Sequence, residues 1–530
     1  MEIKKCLDEN LEIIKKQLGV GVSFDVVVRE IRIGPKKAAL LFINGMVDNA
    51  VITEFLEELM LSSREEVTVD PFEKIFFKRL THHQVEKVKK IEDIINQVLA
   101  GPTALLIDGC QEAIMIDARS FPARAPQEPD VEKVSRGSRD GFVETLVFNT
   151  VLLRRRIRDP KLRFEIVKVG QRSQTDVAIA YIEDITNPKL VEVMKQRIQA
   201  IKVDGIPMAE KALEENLTKR KLWNPFPLVR YTERPDAAAD HLLEGNVLIM
   251  VDNSPSVMIA PSTFFHHLQH TEEYRQNNVA GTYFRWIRTI GVFLSFLLPA
   301  FWLALVTTPG LLPPALEFLG PEKAGKVPIA LQFIIAELGI DLFRMAAIHT
   351  ASPLATALGF IGAFMLGDVA IQVGLFTPET VLYIALAAAG SFATPSYEMG
   401  LALRIVRLPL LALVWALKMP GFVVGVAIIF LILATTKSFN VPYLWPLFPF
   451  NWQGFLATFF RLPSPMETYR PAILKPKDLD QSPSENKGQQ KAGSGGKKQE
   501  KAKDNPAKDS RETQNNHHQE EEFEPKKDEK

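Results

Sequence analysis

An apolar block, residues 287–436, lies between charged stretches of this 530-residue chain and constrains everything else about it. Within it Ile290–Val306, Leu354–Val373 and Gly421–Ala434 carry almost no charge. A water-soluble core can hold one such segment. Several in succession need lipid, where each crossing satisfies its own backbone as a helix. The sequence therefore predicts an α-helical multipass membrane domain, and with it signalling, transport, channel formation or membrane assembly. The few charges inside the block become the first functional candidates, because a charge at that depth is costly unless it faces protein or water.

The rest of the composition mostly excludes. Lysine plus arginine (63) equal aspartate plus glutamate (63), so bulk charge gives no attraction for nucleic acid. The two cysteines, Cys6 and Cys110, form no paired framework and no thiolate cluster, which fits a reducing compartment. His82, His83, His266, His267 and His270 have no carboxylate or cysteine pattern beside them and read as core or surface residues. There is no phosphate loop, glycine fingerprint, nucleophile elbow or metal-binding helix. No catalytic, cofactor or metal site is expected, and the chain is not expected to be an enzyme. The opening stretch MEIKKCLDENLEIIKKQLG is a charged amphipathic helix without an apolar signal core, so the part before the block is expected to stay cytoplasmic.

That part reads as two small α/β subdomains, residues 1–120 and 137–284, joined by a proline-rich linker at 121–136. In the first, helices are expected at Glu2–Leu18, Asn49–Leu61 and His83–Leu99, and strands at Val22–Ile33 and Ala38–Ile43. A hairpin over Thr103–Ile107 and Ala113–Asp117 turns at Asp108-Gly109. In the second, helices are expected at Asp140–Arg158, Pro188–Ala200 and Asp236–Glu244. Its strands are Phe164–Val169, Asp176–Ile182, Val247–Val251 and Val257–Ala260. Arg154, Arg155, Arg156 and Arg158 read as a solvated basic face, with acidic lipid or phosphate as the functional alternative.

The membrane domain, residues 285–437, divides into five or six segments. Arg285 and Arg288 precede the first span and mark a cytoplasmic side; Arg404 and Arg407 mark it again. Val327–Ile348 carries Glu337, Asp341 and Arg344 on one helical face, opposite Leu331, Ile335, Leu338 and Leu342. It spans, re-enters or lies along the interface. Counted as a span, it gives six crossings with both ends cytoplasmic. Its charges line a pore or gate, or else pair with Arg344 to hold helices together. Leu354–Phe376 is a span whose Asp368 and Gln372, one turn apart, are an ion site or polar glue. Ile405–Leu417 and Gly421–Thr436 make a hairpin about Lys418-Met419-Pro420. Residues 438–463 are an aromatic interfacial segment, and 464–530 a disordered charged tail that cannot bury a core.

Several pieces, in order, resemble the A-subunit family of spore germinant receptors (GerA-type). They include SRDGFVET at Ser138–Thr145, Arg154–Arg156, YTERPD at Tyr231–Asp236 and LEGNV at Leu243–Val247. VDNSPSVMIAP at Val251–Pro261 and FRWIR at Phe284–Arg288 follow. Inside the block are ELGIDLFRMAAIHT at Glu337–Thr350, GDVAIQVGLF at Gly367–Phe376, ATPSYE at Ala393–Glu398 and PYLWPLFPFN at Pro442–Asn451. The resemblance implies a multipass protein of the inner spore membrane with a two-part cytoplasmic N-terminal region. It implies a homo-oligomeric ion channel subunit, or a channel-promoting component, that releases monovalent cations during germination. It also implies an additional membrane-protein partner, and it carries no catalytic residues. Two rivals remain: a non-conducting scaffold or receptor component, and a transporter of spore solutes.

Overall fold

The structure is a computed structural model describing residues 1–60, 71–79, 84–121, 132, 134–218, 223–322, 325–349, 367–463, 466 and 469–481. Its first unit contains α1 (Leu7–Leu18), β1 (Val26–Ile33), β2 (Lys36–Ile43), α2 (Asn49–Met60), β3 (Val85–Val88), α3 (Ile91–Ala100), β4 (Thr103–Ile107) and β5 (Ala113–Ile116). The second contains α4 (Leu146–Arg156), β6 (Leu162–Val169), β7 (Thr175–Ile182), α5 (Pro188–Gln199), α6 (Ala209–Leu217), β8 (Arg230–Thr232), α7 (Pro235–Glu244), β9 (Val247–Val251) and β10 (Val257–Ala260).

The two units repeat one design. Their antiparallel sheets run β1-β2-β4-β5-β3 and β6-β7-β9-β10-β8, the same order displaced by one unit. Local devices repeat too. Asn10 exchanges two hydrogen bonds with the Lys4 backbone (2.9 and 2.6 Å), and Asn149 does the same with Val143 (2.8 and 2.6 Å). A carboxylate from the last hairpin turn takes the first free N–H of the first helix: Leu7 donates to Asp108 and Leu146 to Asp252, both at 3.1 Å. α3 and α7 each end on a glycine of positive φ, Gly101 and Gly245, where a side chain would be strained.

Three expectations need correction. Residues 83–99 are not one helix. Val85–Val88 completes the first sheet by pairing with β5, and the helix starts at Ile91, where the buried positions first fall at helical spacing. The second unit's first helix begins at Leu146 rather than Asp140, because Asp140 is held back by Arg156 at 2.6 Å. The arginine cluster is a solvated face only in part: Arg155 and Arg158 are exposed, whereas Arg156 is half-buried and Arg154 is not solvated at all. Arg154 is buried and donates to Asp25 through Nε (3.0 Å) and Nη2 (2.9 Å), tying the two units together. Arg155 lies over the Phe121 ring at 4.4 Å. Arg163, outside the cluster, caps α1 by donating to the Leu18 and Gln17 carbonyls (3.0 and 3.2 Å).

The block continues with α8 (Asn278–Thr307), α9 (Ile329–His349), α10 (Pro378–Phe392), α11 (Tyr397–Thr435) and α12 (Trp452–Phe459). Among the described residues, α8 and α11 are the two helices long and apolar enough to cross a membrane by length and composition. α11 is two arms. Lys418 has φ 57 and ψ −135, and the chain folds back so that Gly425 faces Leu410 and Leu413. A straight helix would hold residues 410 and 425 about 22 Å apart. The expected hairpin is thus present. The expected span Leu354–Phe376 lies mostly outside the described residues; its end, from Gly367 on, is described.

Contacts fix the direction of each arm. α8 leaves the α/β half and ends beside the hairpin tip, where Met419 N donates to Thr308 Oγ1 (3.2 Å). α9 and α10 both start at that far end: Thr377 N donates to Gln332 Oε1 (2.9 Å), and Lys326 N to the Gly374 carbonyl (3.0 Å). They finish near the α/β half, where Arg344 lies over the Phe392 ring at 5.3 Å. α11 starts there, goes out, and returns to Thr436, whose Oγ1 accepts from Asn224 (3.1 Å).

The return segment also departs from expectation. Tyr443, Leu444 and Trp445 are buried in the joint, with the Tyr443 carbonyl accepting from Phe264 N (2.8 Å), while Phe448, Phe450 and Trp452 stay exposed. Residues 469–481 do not belong to a disordered tail. Arg470 Nε donates to the Leu243 carbonyl and Lys477 N to that of Ile185, both at 2.8 Å, and Leu474 is buried. The remainder, 482–530, lies outside the described residues.

Candidate functional site

α9 starts after Pro328, which cannot continue a helix backward, and it carries its polar residues on one face. That face turns inward: Glu337 is buried, while Ile335, Leu338 and Leu342 are exposed. Glu337 Oε2 accepts from Arg407 Nη2, and Asp341 Oδ1 from Arg404 Nη1. The two arginines stand three residues apart on the outgoing arm of α11 and are themselves buried. Arg407 also donates through Nη1 to the Ser295 carbonyl of α8 (2.5 Å). That carbonyl is free because Pro299, four residues on, has no N–H to bond it. A proline in one helix thus presents an acceptor to a guanidinium from another.

The result is a charge ladder joining α8, α9 and α11. The outgoing arm, from Tyr397 to Lys418, is about 31 Å long, and Arg407 lies about 15 Å along it, near its middle. Removing one member of such a buried pair costs about 3–5 kcal/mol, since the other is left charged and unmatched. Among the described residues, Glu337 Oε1, Arg404 Nε and Arg407 Nε are buried without a hydrogen-bond partner. The ladder therefore has polar capacity in reserve.

The sequence candidates separate accordingly. Glu337 and Asp341 come together, but their partners are Arg407 and Arg404, not Arg344. Arg344 is half-buried against Phe392. Asp368 and Gln372 lie apart from the ladder, exposed, with Gln372 Nε2 donating to Asp368 (2.8 Å). Arg404, Arg407 and Ser295 were missed as site residues. Read as flanking charges, the two arginines signalled a membrane edge. Their three-residue spacing within an otherwise apolar arm matches two acids four apart and was the available sign of a ladder.

The α/β half grips the block at two places. Glu273 is fully buried and accepts from Arg285 (2.7 Å) and Arg288, the pair expected to flank the first span. Arg285 also donates to the carbonyls of Ala457, Thr458 and Phe460 (2.7, 3.2 and 3.2 Å). His267 bridges Ser262 (3.0 Å) and Ser396 (3.3 Å), the residue that caps α11. Burial, then Arg230, holds His267 well below the usual imidazole range, so it bridges as the neutral ring. Nearby, burial acts to raise Glu132, but Arg230 (2.6 Å) and Thr232 (2.8 Å) outweigh it and hold the carboxyl below its usual range. The 121–136 linker is thereby anchored to the second unit at Glu132.

These features coincide with a known family. The profile described as Bacillus/Clostridium GerA spore germination protein matches residues 12–473. The chain is 48% identical over 475 residues to the stage V sporulation protein AF of Bacillus subtilis (strain 168), covering 90% of this chain and 96% of that protein. It is 31% identical over 482 residues to spore germination protein KA of the same organism, covering 90% and 88%. It is 30% identical over 492 residues to spore germination protein GerLA of Bacillus cereus, covering 92% and 99%. The solved N-terminal domain of the A subunit of the Bacillus megaterium spore germinant receptor GerK3 aligns at 30% identity and a TM-score of 0.40, over 50% of this chain and 98% of that one. With the match running through both sheet units and the whole helical block, the chain belongs to the GerA family of spore germination proteins.

Proposed function

We propose that this chain is a membrane subunit acting in spore germination, that it crosses the inner spore membrane six times, and that its assembled copies conduct or promote the release of monovalent cations. Its N-terminal half lies on the cytoplasmic side in this reading. The six crossings are supported by helix direction. The five described arms run out, back, back, out and back, so in this reading the chain makes one more outward pass between His349 and Pro378. The conducting role rests on one observation, the ladder of Glu337, Asp341, Arg404 and Arg407 with its unmatched polar atoms. Within one subunit the acids are neutralised, and the outward face of α9 is apolar. A path therefore needs other copies, or a shift of α9 against α11 that opens the pairs. Helix positioning alone is the second reading, favoured by the same neutralisation.

The discriminating experiment follows potassium release from germinating spores that carry Glu337→Gln with Asp341→Asn, with membrane level and oligomer size measured in parallel. Slowed release at normal level and size supports the conducting role. Loss of the oligomer supports the scaffold. Normal potassium release with altered release of organic solutes would support a transporter and overturn the channel.

A further inference from the structure

A cleft of about 300 Å³ opens where the α/β half meets the return segment. α7 contributes Asp240 and Glu244, which share a helical face at i,i+4 spacing. Tyr274, Trp445 and Tyr469 supply aromatic walls. Among the described residues, the lining has two carboxylates and no lysine or arginine. Other acids of the α/β half are matched: Glu132 by Arg230 (2.6 Å), Asp236 by Arg234 (2.8 Å) and Arg275 (2.6 Å), and Glu273 by Arg285 (2.7 Å). Asp240 has no ion pair among the described residues, and Glu244 meets only His241 Nδ1 (3.0 Å). Burial, with Arg230 nearby, lowers His241 to about 4, so it brings no charge at neutral pH.

A second observation is independent of the acids. His266, 6% exposed, lines the cleft with its Nδ1 buried and without a hydrogen-bond partner among the described residues. An unmatched buried nitrogen is costly unless something arrives to bond it. Asp240 is open to the cleft, yet the surrounding protein, and then Glu244, push it up to about 6, a group short of positive charge.

We propose that this cleft binds a small organic ammonium ion, its nitrogen between Asp240 and Glu244 and its body against the aromatic walls. The volume suits roughly ten heavy atoms, taking about 30 Å³ for each water-sized unit. Aromatic faces stabilise an adjacent cation. A bare metal ion fits less well, because no group of three or more His, Cys, Asp or Glu among the described residues is placed to hold one. The bound ion would bridge α7 and the return segment, so occupancy would stiffen the joint whether or not the block conducts.

The test uses the full-length chain in detergent micelles, titrated calorimetrically with 2-phenylethylammonium chloride and with its uncharged counterpart 2-phenylethanol. The expected result is saturable one-site binding of the amine, roughly tenfold tighter than the alcohol, a factor worth about 1.4 kcal/mol. Asp240→Asn should weaken the amine about tenfold and leave far-ultraviolet circular dichroism unchanged. Tyr469→Ala, at the exposed rim, should weaken it too. Absence of saturable binding, equal affinity for the alcohol, or unchanged affinity in Asp240→Asn would overturn the proposal. So would displacement of the amine by equal concentrations of calcium or potassium chloride.

Discussion

Arg154 extends from α4 into the first unit, where two of its nitrogens reach one oxygen of Asp25 while Nη1 and Nη2 also donate to the Asp159 and Leu162 carbonyls (3.0 and 3.1 Å). All of this is buried, so Arg154→Ala would leave Asp25 charged and unmatched. Thermal unfolding of the full chain in detergent should register a loss of about 3–5 kcal/mol. Arg154→Lys should recover little, because one ammonium cannot reach the carboxylate and both carbonyls from a single geometry. A lysine variant as stable as the parent would show the fork to be dispensable. Acid should act at a second set of residues. Burial is the first cause that lowers His241 to about 4, His266 to about 3 and His270 to about 4, against 6.5 for a free imidazole. Between those values the unfolded chain binds more protons than the folded one. The stability from these histidines is therefore full above about pH 6.5 and is lost as pH falls toward 4. Asp240, raised to about 6, and Glu244, raised by burial, work the other way. With His267, three buried histidines and the half-buried His270 outnumber them. The unfolding temperature should fall between pH 7 and pH 5, and the fall should shrink in His266→Gln. A flat profile would contradict the neutral, buried state of these rings.

At the level of elements, close helix approach depends on glycine. A side chain at Gly390 of α10 would run into the Gly291 backbone of α8, and one at Gly425 into Leu410 across the hairpin. Gly390→Leu must push α8 and α10 apart. Overpacking of this kind costs about 1–3 kcal/mol, so the detergent-solubilised variant should unfold several degrees earlier. Gly339, whose surroundings are open, is the control: Gly339→Ala should change little. The elements also mark how much was legible in advance. β1, β2 and the hairpin of β4 and β5 were readable because alternation and the Asp108-Gly109 turn act over a few residues. The hairpin of α11 was readable because Pro420 interrupts an apolar run. β3 was not, since Val85–Val88 is a strand only because β5 offers it an edge. β8 was not legible for the same reason: a three-residue strand is defined by its neighbour β10. The inward face of α9 was legible from the spacing of Glu337 and Asp341. Its partners were not, because Arg404 and Arg407 lie more than sixty residues away and positive charges in an apolar sequence read first as membrane edges. Arg154 was not legible either, because its burial follows only from the position of Asp25.

For the whole molecule, the decisive relation is between where the chain enters the helical block and where it leaves. It enters beside Glu273, which Arg285 holds, and it leaves through Ser438, whose Oγ donates to the Leu228 carbonyl (2.6 Å) and accepts from Ser262 N (3.0 Å). Both points rest on the same α/β half, and so do Arg470 and Lys477 farther on. A chain that starts and ends on one side of a bilayer crosses it an even number of times. The far end holds the segment after α8 and the tip of the α11 hairpin, joined through Thr308 and Met419. This geometry makes a prediction about sidedness that needs no assumption about conduction. After Cys6 and Cys110 are replaced by serine, single cysteines are placed at exposed positions: Asp204 and Lys437 near the α/β half, Glu317 and Lys418 at the far end. In intact cells a membrane-impermeant maleimide should label the Glu317→Cys and Lys418→Cys variants at once. Asp204→Cys and Lys437→Cys should react only after the membrane is opened. Labelling that splits Asp204 from Lys437 would mean an odd number of crossings. The joint of Glu273, His267 and Ser438 could not then exist in the membrane, and the ladder of Glu337 and Arg407 would lose the helix directions that bring it together.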